Sequence, residues 1–361
     1  MSDVLLLSRY ERLGASSRMR SYQFLPALAA AGIDVAVRPM LDDAYLRARH
    51  AGRRPAGNVA LAYVRRVRDV LANRNAPLVW IEYEALPWLP YAFERALLAG
   101  GRPFIVDYDD AIFHRYGMHA SALVRGALGG KIDRLMRASA CVIAGNDYLA
   151  RRAREAGASR VETLPTVIDL ERYRPRTDPA TQGPLVVGWI GSPSTTGYLR
   201  SVESPLRRLA ERRPLRVVNV GGSPWRSAFL EVENRPWSEA SEVDEMLRFD
   251  VGIMPLDDTP WSRGKCGFKL IQYMGCALPT VASPVGANIE IVEDGVTGFH
   301  AADDDQWVEA LDSLARDAGL RRAMGLAGRD RVRRHYSLAA VAPRLVALVS
   351  ELLAQARAGR R

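Results

Sequence analysis

The sequence predicts an α/β protein of two domains, each a parallel sheet with crossover helices. Three observations carry that reading. Short apolar runs bounded by Gly or Asp alternate with helix-length amphipathic stretches along the chain, the pattern of strands buried on both faces and joined by helices. At 361 residues the chain exceeds one ordinary core and fits two domains of middling size. Between two series of strands lies Arg176-Thr-Asp-Pro-Ala-Thr-Gln-Gly-Pro184, which is polar, proline-bearing and aperiodic, as linkers are.

The first series of strands is expected at Val4–Leu7, Ile33–Arg38, Leu78–Glu82, Phe104–Asp107 and Cys141–Ala144. Helical patterns fall between them at Ser17–Ala31, Ala60–Asn73, Leu123–Ala138 and Asp147–Ala156. The second series is Leu185–Gly191, Leu215–Val220, Val251–Pro255 and Leu278–Ala282, with a short helix at Phe268–Cys276. The expected organisation is a first domain over 1–172, a linker over 173–184 and a second domain over 185–337. A terminal helix over 338–361 is expected to pack back towards the first domain.

Composition narrows the class. Charged residues at 25% and hydrophobic residues at 48% are ordinary globular values. The three cysteines, Cys141, Cys266 and Cys276, form no Cys-x-x-Cys pair, and the five histidines are scattered. Neither a zinc site nor a disulfide frame is expected, and a reduced, cytoplasmic setting follows. The run Val4–Leu7 after Met1-Ser-Asp3 is too short for a signal-peptide core and has no basic leader. No sequence stretch reads as a membrane span; Val346 to Ala354 is apolar-rich but interrupted by Ser350 and Glu351.

Charge is placed unevenly. Residues 1–175 hold 26 Lys+Arg and 18 Asp+Glu, a net of +8, whereas residues 176–361 hold 24 and 23, a net of +1. Such a basic half suits nucleic acid, anionic lipid or an acidic substrate, or is simply a solvated face. No helix-turn-helix, finger or aromatic-basic strand pattern is present, so nucleic acid is not an expected partner. The arginine clusters Arg65, Arg66, Arg68 and Arg151, Arg152, Arg154 are where anionic membrane would be met.

The most informative run is Trp261-Ser-Arg-Gly-Lys-Cys-Gly-Phe-Lys-Leu-Ile-Gln-Tyr-Met-Gly-Cys-Ala-Leu-Pro-Thr-Val-Ala-Ser-Pro-Val-Gly286. A polar loop with Arg263, Lys265 and Gly267 feeds a helix that carries Lys269 in its first turn. Backbone N–H groups, the positive end of the helix dipole and these cations then suit an anion. Only three lysines occur, Lys131, Lys265 and Lys269, so two of them here suggest point-charge contacts to phosphate. A solvated helix start is the plain alternative.

Together with Ile289-Glu-Ile-Val-Glu-Asp-Gly-Val-Thr-Gly-Phe299, this run resembles the nucleotide-sugar half of family 4 glycosyltransferases. Their pattern is "K-L-x-E-Y-M-A-x-G-x-P-V-V-A-S-x-V-G" followed by "E-I-V-x-x-G-x-x-G-F". Thr163-Leu-Pro-Thr-Val-Ile-Asp-Leu-Glu-Arg-Tyr-Arg-Pro175 resembles the family's "P-x-G-V-D-x-x-x-F-x-P" segment, where acceptor domain gives way to donor domain. The resemblance implies the GT-B architecture, two Rossmann-like domains facing a central cleft. It also implies retaining, metal-independent transfer of a sugar from a nucleoside diphosphate sugar, with no cofactor. The acceptor would be a hydroxyl on a lipid-linked or saccharide intermediate of the cell envelope, with peripheral contact to the inner membrane face.

Site residues follow from the same resemblance. Gly191 and Ser192, in the turn Trp189-Ile-Gly-Ser-Pro-Ser-Thr-Thr-Gly197, would line the donor, although the family's Arg and Lys are missing from that loop. Gly221, in Asn219-Val-Gly-Gly-Ser223, and Trp237-Ser-Glu-Ala240 would lie near the base, and Arg263, Lys265, Gly267 and Lys269 would hold the diphosphate. Gln272 stands at the second place of the family's Glu-x7-Glu pair and would accept a ribose hydroxyl. Gly264 stands at the first. That leaves three readings: Asp257 or Asp258 takes over, the sugar is held differently, or catalysis is lost.

In the first domain, Gly14, Ser17, Arg18 and Arg20 resemble the family's first loop, with the arginines supplying charge across the cleft. A serine-capped helix with exposed arginines is the alternative. Asp107-Tyr-Asp-Asp-Ala-Ile-Phe-His114 ends the fourth strand. Asp109 or Asp110 would orient the attacking hydroxyl and His114 would touch the sugar, while one aspartate caps the next helix. A metal at this Asp-x-Asp is not expected, because it lies in the wrong domain for the donor. Two other readings stay open, a GT-B nucleotide-sugar 2-epimerase and a non-catalytic nucleotide-sugar-binding subunit.

Overall fold

The structure, a computed structural model, describes residues 2–50, 52–53, 56–99, 101–177 and 183–359. Residues 178–182 of the expected linker lie outside the described residues. Contacts divide the chain into two compact units. The first holds Met1–Thr166, Gly264–Cys266 and Val341–Arg361, and the second Val167–Arg263 and Gly267–Ala340.

The first unit carries β1 (Val4–Leu7), β2 (Val35–Val37), β3 (Leu78–Glu82), β4 (Phe104–Tyr108), β5 (Cys141–Ala144) and β6 (Val161–Thr163). They form one parallel sheet in the order β2-β1-β3-β4-β5-β6. Every residue of β1, β3, β4 and β5 is buried. That explains why these strands read as unbroken apolar runs.

The second unit carries β7 (Leu185–Ile190), β8 (Leu215–Val220), β9 (Glu231–Arg235), β10 (Val251–Met254), β11 (Thr280–Ala282) and β12 (Gly298–His300). Its order is β12-β11-β10-β7-β8-β9, again all parallel. One face is covered by a cluster around Tyr273, Phe249 and Met274, the other by a cluster around Trp189, Trp307 and Leu311. Both sheets are of the doubly wound type, and the α/β fold class read from the sequence holds.

Three strands escaped the sequence reading, β6, β9 and β12, and all three lie at sheet edges. β9 reads Glu-Val-Glu-Asn-Arg and stays partly exposed throughout. An edge strand need not be apolar on both faces, so the signal fades. Two expected helices are broken. Ser17–Ala31 resolves into Ala15–Arg20, a 3-10 turn Tyr22–Phe24 and Leu25–Ala30, interrupted at Ser21 where φ is −132°. Leu123–Ala138 parts at Gly129-Gly130 into Ala122–Leu128 and Lys131–Ala138, since glycine pairs weaken a helix interior. The expected strand from Leu278 starts only at Thr280, because Ala277 takes φ +56° and Pro279 cannot donate to a ladder.

The final helix, Leu338–Ala358, corrects another expectation: it is long and apolar enough to cross a membrane by length and composition alone. Its side chains Val341, Leu345, Leu348, Val349, Leu352 and Leu353 are nonetheless buried. A core helix passes the same test. Within the first unit Arg160 forks onto Glu351 at 2.7 and 3.0 Å, and Arg344 donates to the Thr163 carbonyl at 3.1 Å.

The first unit also buries a dense set of charges. Lys131 Nζ lies 2.7 Å from Glu84 and 3.4 Å from Glu94, and donates to the Leu86 carbonyl at 2.6 Å. Burial pushes the carboxyls of Glu82 and Glu94 up to about 7, and that of Asp107 up to about 6 despite its pair with Arg20. These values stand above those of the unfolded chain, so between about pH 4.5 and 7 the folded state holds more protons. Stability should therefore fall as pH rises through that window. We expect the urea midpoint to drop from pH 5 to pH 7.5, and Glu82→Gln to flatten the drop while keeping an acceptor for Ser17. An unchanged slope in the variant would mean that Glu82 is already ionised at pH 5.

Candidate functional site

In an open doubly wound sheet, ligands meet the carboxyl ends of strands where the strand order reverses. In the second unit that point lies between β7 and β10. β7 ends at Ile190, and Gly191 and Ser192 follow directly. A Cβ on Gly191 would lie 2.3 Å from the Trp189 ring and 2.9 Å from Lys269 Cε. A Cβ on Gly221, which has φ +76°, would lie 2.5 Å from the Gly191 carbonyl and 2.7 Å from Trp237 Cβ. Gly191, Gly221 and Lys269 are thus brought together. The Lys269 ammonium sits 5.2 Å from the centroid of the Trp189 ring, a cation–π contact that aims the side chain along this wall.

The backbone here is tied down locally. The Ser192 N–H donates to Thr195 Oγ1 at 3.2 Å, and the Ser223 N–H donates to Thr196 Oγ1 at 2.8 Å. Pro193–Val202 forms a 3-10 helix rather than an α-helix. Gly267 is the N-cap of the helix Phe268–Gly275, with φ +63° and no side-chain oxygen. A Cβ there would strike Ile291 Cδ1 at 2.2 Å.

Gln272 is buried and its amide is committed. Nε2 donates to Tyr173 Oη at 3.0 Å and to Glu242 Oε2 at 3.4 Å. Glu242, 1% exposed, also accepts from Tyr173 Oη at 3.1 Å and from Trp237 Nε1 at 3.1 Å. Glu242 and Tyr173 were not candidates from sequence. Glu242, one of two glutamates in Trp237-Ser-Glu-Ala-Ser-Glu242, gives no signal until the fold sets it beside Gln272. Arg263 forks onto Asp258 at 2.7 and 2.9 Å on the surface. Its guanidinium is therefore engaged, and Asp258 is likewise engaged.

The first unit gathers the other candidates at the ends of β1, β3 and β4. Gly14 is the N-cap of Ala15–Arg20, and a Cβ there would meet Tyr10 Cβ at 2.4 Å. Ser17 Oγ donates to Glu82 Oε2 at 2.6 Å and accepts from the Tyr10 N–H at 3.0 Å. Arg20 is 4% exposed, donating through Nε to Asp107 at 2.9 Å and through Nη1 to the Leu164 carbonyl at 2.7 Å. Arg18 is 3% exposed and donates to the Arg12 carbonyl at 3.1 Å. Both arginines are buried, which rules out the alternative of a capped helix with exposed arginines.

Asp109 accepts from the Tyr83 hydroxyl, and Tyr83 takes a left-handed φ of +62°. Such a conformation in a bulky residue is strained and holds only where surroundings impose it. Lys265 Nζ lies 3.7 Å from Asp110 within this unit. Asn146 Nδ2 fastens the same segment, donating to the carbonyls of Gly264 at 3.1 Å and Lys265 at 3.0 Å. Neither aspartate caps the following helix Ile112–Gly117, whose N-cap is Ala111. His114 Nε2 is 2.8 Å from the Tyr148 hydroxyl. Burial and nearby Arg152 lower its pKa, which favours the uncharged ring. Gly264 packs on this unit so closely that a Cβ would lie 2.4 Å from Ala111 Cβ. Among the described residues no cluster of three metal-ligating side chains occurs.

Two parallel sheets of this topology define the GT-B fold. Residues 185–317 match the family model described as "Glycosyl transferases group 1". Human alpha-1,3/1,6-mannosyltransferase ALG2 is 37% identical over 83 residues, 23% of this chain and 20% of that protein. Alpha-maltose-1-phosphate synthase of Mycolicibacterium smegmatis is 33% identical over 160 residues, 42% of this chain and 36% of that protein. The matches thus span well under two thirds of these relatives. Among solved structures, sucrose-phosphate synthase from Thermosynechococcus elongatus aligns over 98% of this chain and 100% of that one, with TM-score 0.73 at 17% identity. Anabaena HepE, solved with UDP and glucose, aligns over 97% and 100%, with TM-score 0.70 at 14% identity.

The contacts of the Gln272 amide set what a glutamate at this place would do. Restoring the family's glutamate with Gln272→Glu would face one buried carboxylate with another and remove the donor that Glu242 and Tyr173 use. We expect a loss of about 1–3 kcal/mol in urea unfolding, recovered in large part by the double exchange Glu242→Gln with Gln272→Glu. Additive losses in that double variant would show that the two side chains do not act as a pair.

Proposed function

We propose that this chain is a retaining glycosyltransferase of family 4. It would move a sugar from a nucleoside diphosphate sugar to an acceptor hydroxyl on a lipid-linked or saccharide intermediate. The proposed setting is the cytoplasmic face of the membrane, in cell-envelope polysaccharide or glycolipid synthesis, without a metal ion. The observation that carries the reading is the convergence of Gly191, Gly221 and Lys269 at the reversal of strand order, inside the segment that matches the glycosyltransferase model. HepE, a structural neighbour solved with UDP and glucose, supports a nucleotide-sugar donor.

The chemistry is charge management. The bond from the anomeric carbon to the diphosphate oxygen breaks and a bond to the acceptor oxygen forms. The acceptor proton passes to the departing phosphate, so no protein nucleophile is needed. Negative charge grows on the diphosphate as it leaves. Donors held in advance at that place, the Lys269 ammonium and the amides at the start of Phe268–Gly275, lower the barrier because they need no reorganisation. Glycines at 191 and 221 let backbone approach the phosphates. Lys265, beside Asp110, is the second cation of the proposal, with Arg263 a third. Asp109, fixed by Tyr83, and Asp110 would orient the acceptor, and His114 would contact the sugar.

A second reading, nucleotide-sugar binding without transfer, draws on Gly264. No side chain fits at the place where the family carries its first glutamate. Transfer assays across acceptors decide between the two.

Lys269→Ala removes a charge-assisted contact of about 1.5–3 kcal/mol. Since the diphosphate gains charge as the sugar departs, turnover should fall more than donor affinity. Lys265→Ala should act in the same direction and less strongly. A folded Lys269→Ala variant with wild-type affinity and turnover would move the phosphate site elsewhere. In a thermal-shift panel of UDP-, GDP-, ADP- and TDP-sugars, one class should raise the melting temperature. No shift with any of them would sink the donor assignment.

A further inference from the structure

The net charge of +9 is concentrated more narrowly than halves of the chain suggest. Residues 47–74 hold eight arginines (47, 49, 53, 54, 65, 66, 68 and 74) against the single acid Asp69, a net of +7. At the centre of this segment is the helix Ala56–Ala72. Its inner side is buried through Ala62, Arg66 and Val70, at 2%, 2% and 1% exposure. Arg66 is spent there, donating to the carbonyls of Arg38 at 2.8 Å and Ser8 at 2.5 Å.

The outer side is unusual. Leu61, Val64, Val67 and Leu71 are 65%, 66%, 38% and 59% exposed. Their spacing of three, three and four residues sets them in one stripe along the helix. Arg68, also exposed, follows Val64 by four residues, so its cation flanks the same stripe. Arg47, Arg49 and Arg53 before the helix and Arg74 just after it are exposed too. Four exposed aliphatic side chains in one stripe, with exposed arginine beside them and in the flanking sequence, mark an interaction surface rather than an ordinary solvated face.

We propose that the helix Ala56–Ala72 is an interfacial anchor that lies on a bilayer of anionic phospholipid. Leu61, Val64, Val67 and Leu71 enter the acyl boundary, and the arginines reach up to headgroup phosphates. An apolar stripe with a cationic border and almost no acid has the chemistry of such helices. Arginine stems cover apolar surface while the guanidinium stays in the headgroup layer. A second copy of the chain is a poor occupant, because a symmetric contact would press two +7 segments together. The anchor deepens the membrane setting proposed above and shares no residue with the donor site, so its failure leaves the donor assignment standing.

The test is co-sedimentation of the whole protein with phosphatidylcholine vesicles, with and without phosphatidylglycerol. Binding should need phosphatidylglycerol and weaken with salt. The double variant Leu61→Glu with Leu71→Glu should lower the partition coefficient by about tenfold or more while leaving the unfolding midpoint unchanged, since both side chains face solvent. Leu326→Glu, the same exchange at an exposed leucine of the second unit (52% exposed), should bind as wild type. Equal binding to neutral and anionic vesicles, or binding that survives the double variant, would overturn the proposal. Dimerisation in light scattering that the double variant abolishes, with no vesicle binding, would assign the face to a second copy instead.

Discussion

Everything in this molecule depends on the need of a parallel sheet to be covered on both faces. Each crossover must pass over the sheet, so helices line both sides and the central strands lose all contact with water. The cost of burying their backbone is met by ladder hydrogen bonds, and the side chains are then free to be uniformly apolar. In the second unit this produces Leu185–Ile190 with every residue buried and two cores on opposite faces. It also leaves the carboxyl ends of neighbouring strands open where their order reverses. Glycines gather there because the turns are tight against aromatic rings, as at Gly191 and Gly221.

Arginine is the second theme, and its uses differ by depth. Buried guanidinium groups serve as structural donors: Arg20 holds Asp107 and the Leu164 carbonyl, and Arg66 holds two carbonyls beneath its helix. At such sites the planar fork satisfies several acceptors at once and repays part of the cost of desolvation. Surface arginines that pair with carboxylates, as Arg263 does with Asp258, contribute little to stability. A lysine offers a compact charge on a flexible stem, which suits it to a ligand that changes charge during reaction. Lys269 is half-buried, with its ammonium against the Trp189 ring.

Both departures from the family's glutamate pair have a visible steric or polar neighbour. Gly264 rests on Ala111 with no room for a side chain. Gln272 donates through Nε2 to Tyr173 and Glu242, contacts that an ionised glutamate in its place could not make. These positions are consistent with their surroundings. A sequence comparison alone presents them as losses, because it sees the residue and not what presses against it.

The sequence by itself determined the fold class and the places of nine strands, because burial on two faces leaves an unmistakable apolar run in the inner strands, and the short edge strand Val35–Val37 is apolar as well. It also singled out Gly191, Gly221, Gly267 and Lys269 as candidates, since glycine turns and a first-turn lysine are local features. Tertiary structure decided the rest. The edge strands Val161–Thr163, Glu231–Arg235 and Gly298–His300 are defined by a partner on one side, which composition does not record. Which cations are engaged, as Arg18, Arg20, Arg66 and Arg263 are, depends on acceptors from as few as five to as many as 144 residues away. The pairing of Glu242 with Gln272 across 30 residues, and the outward turn of Leu61, Val64 and Leu71, likewise exist only once the chain is folded. Hydrophobic periodicity says that one face of a helix is apolar; only packing says whether that face meets the core or the solvent.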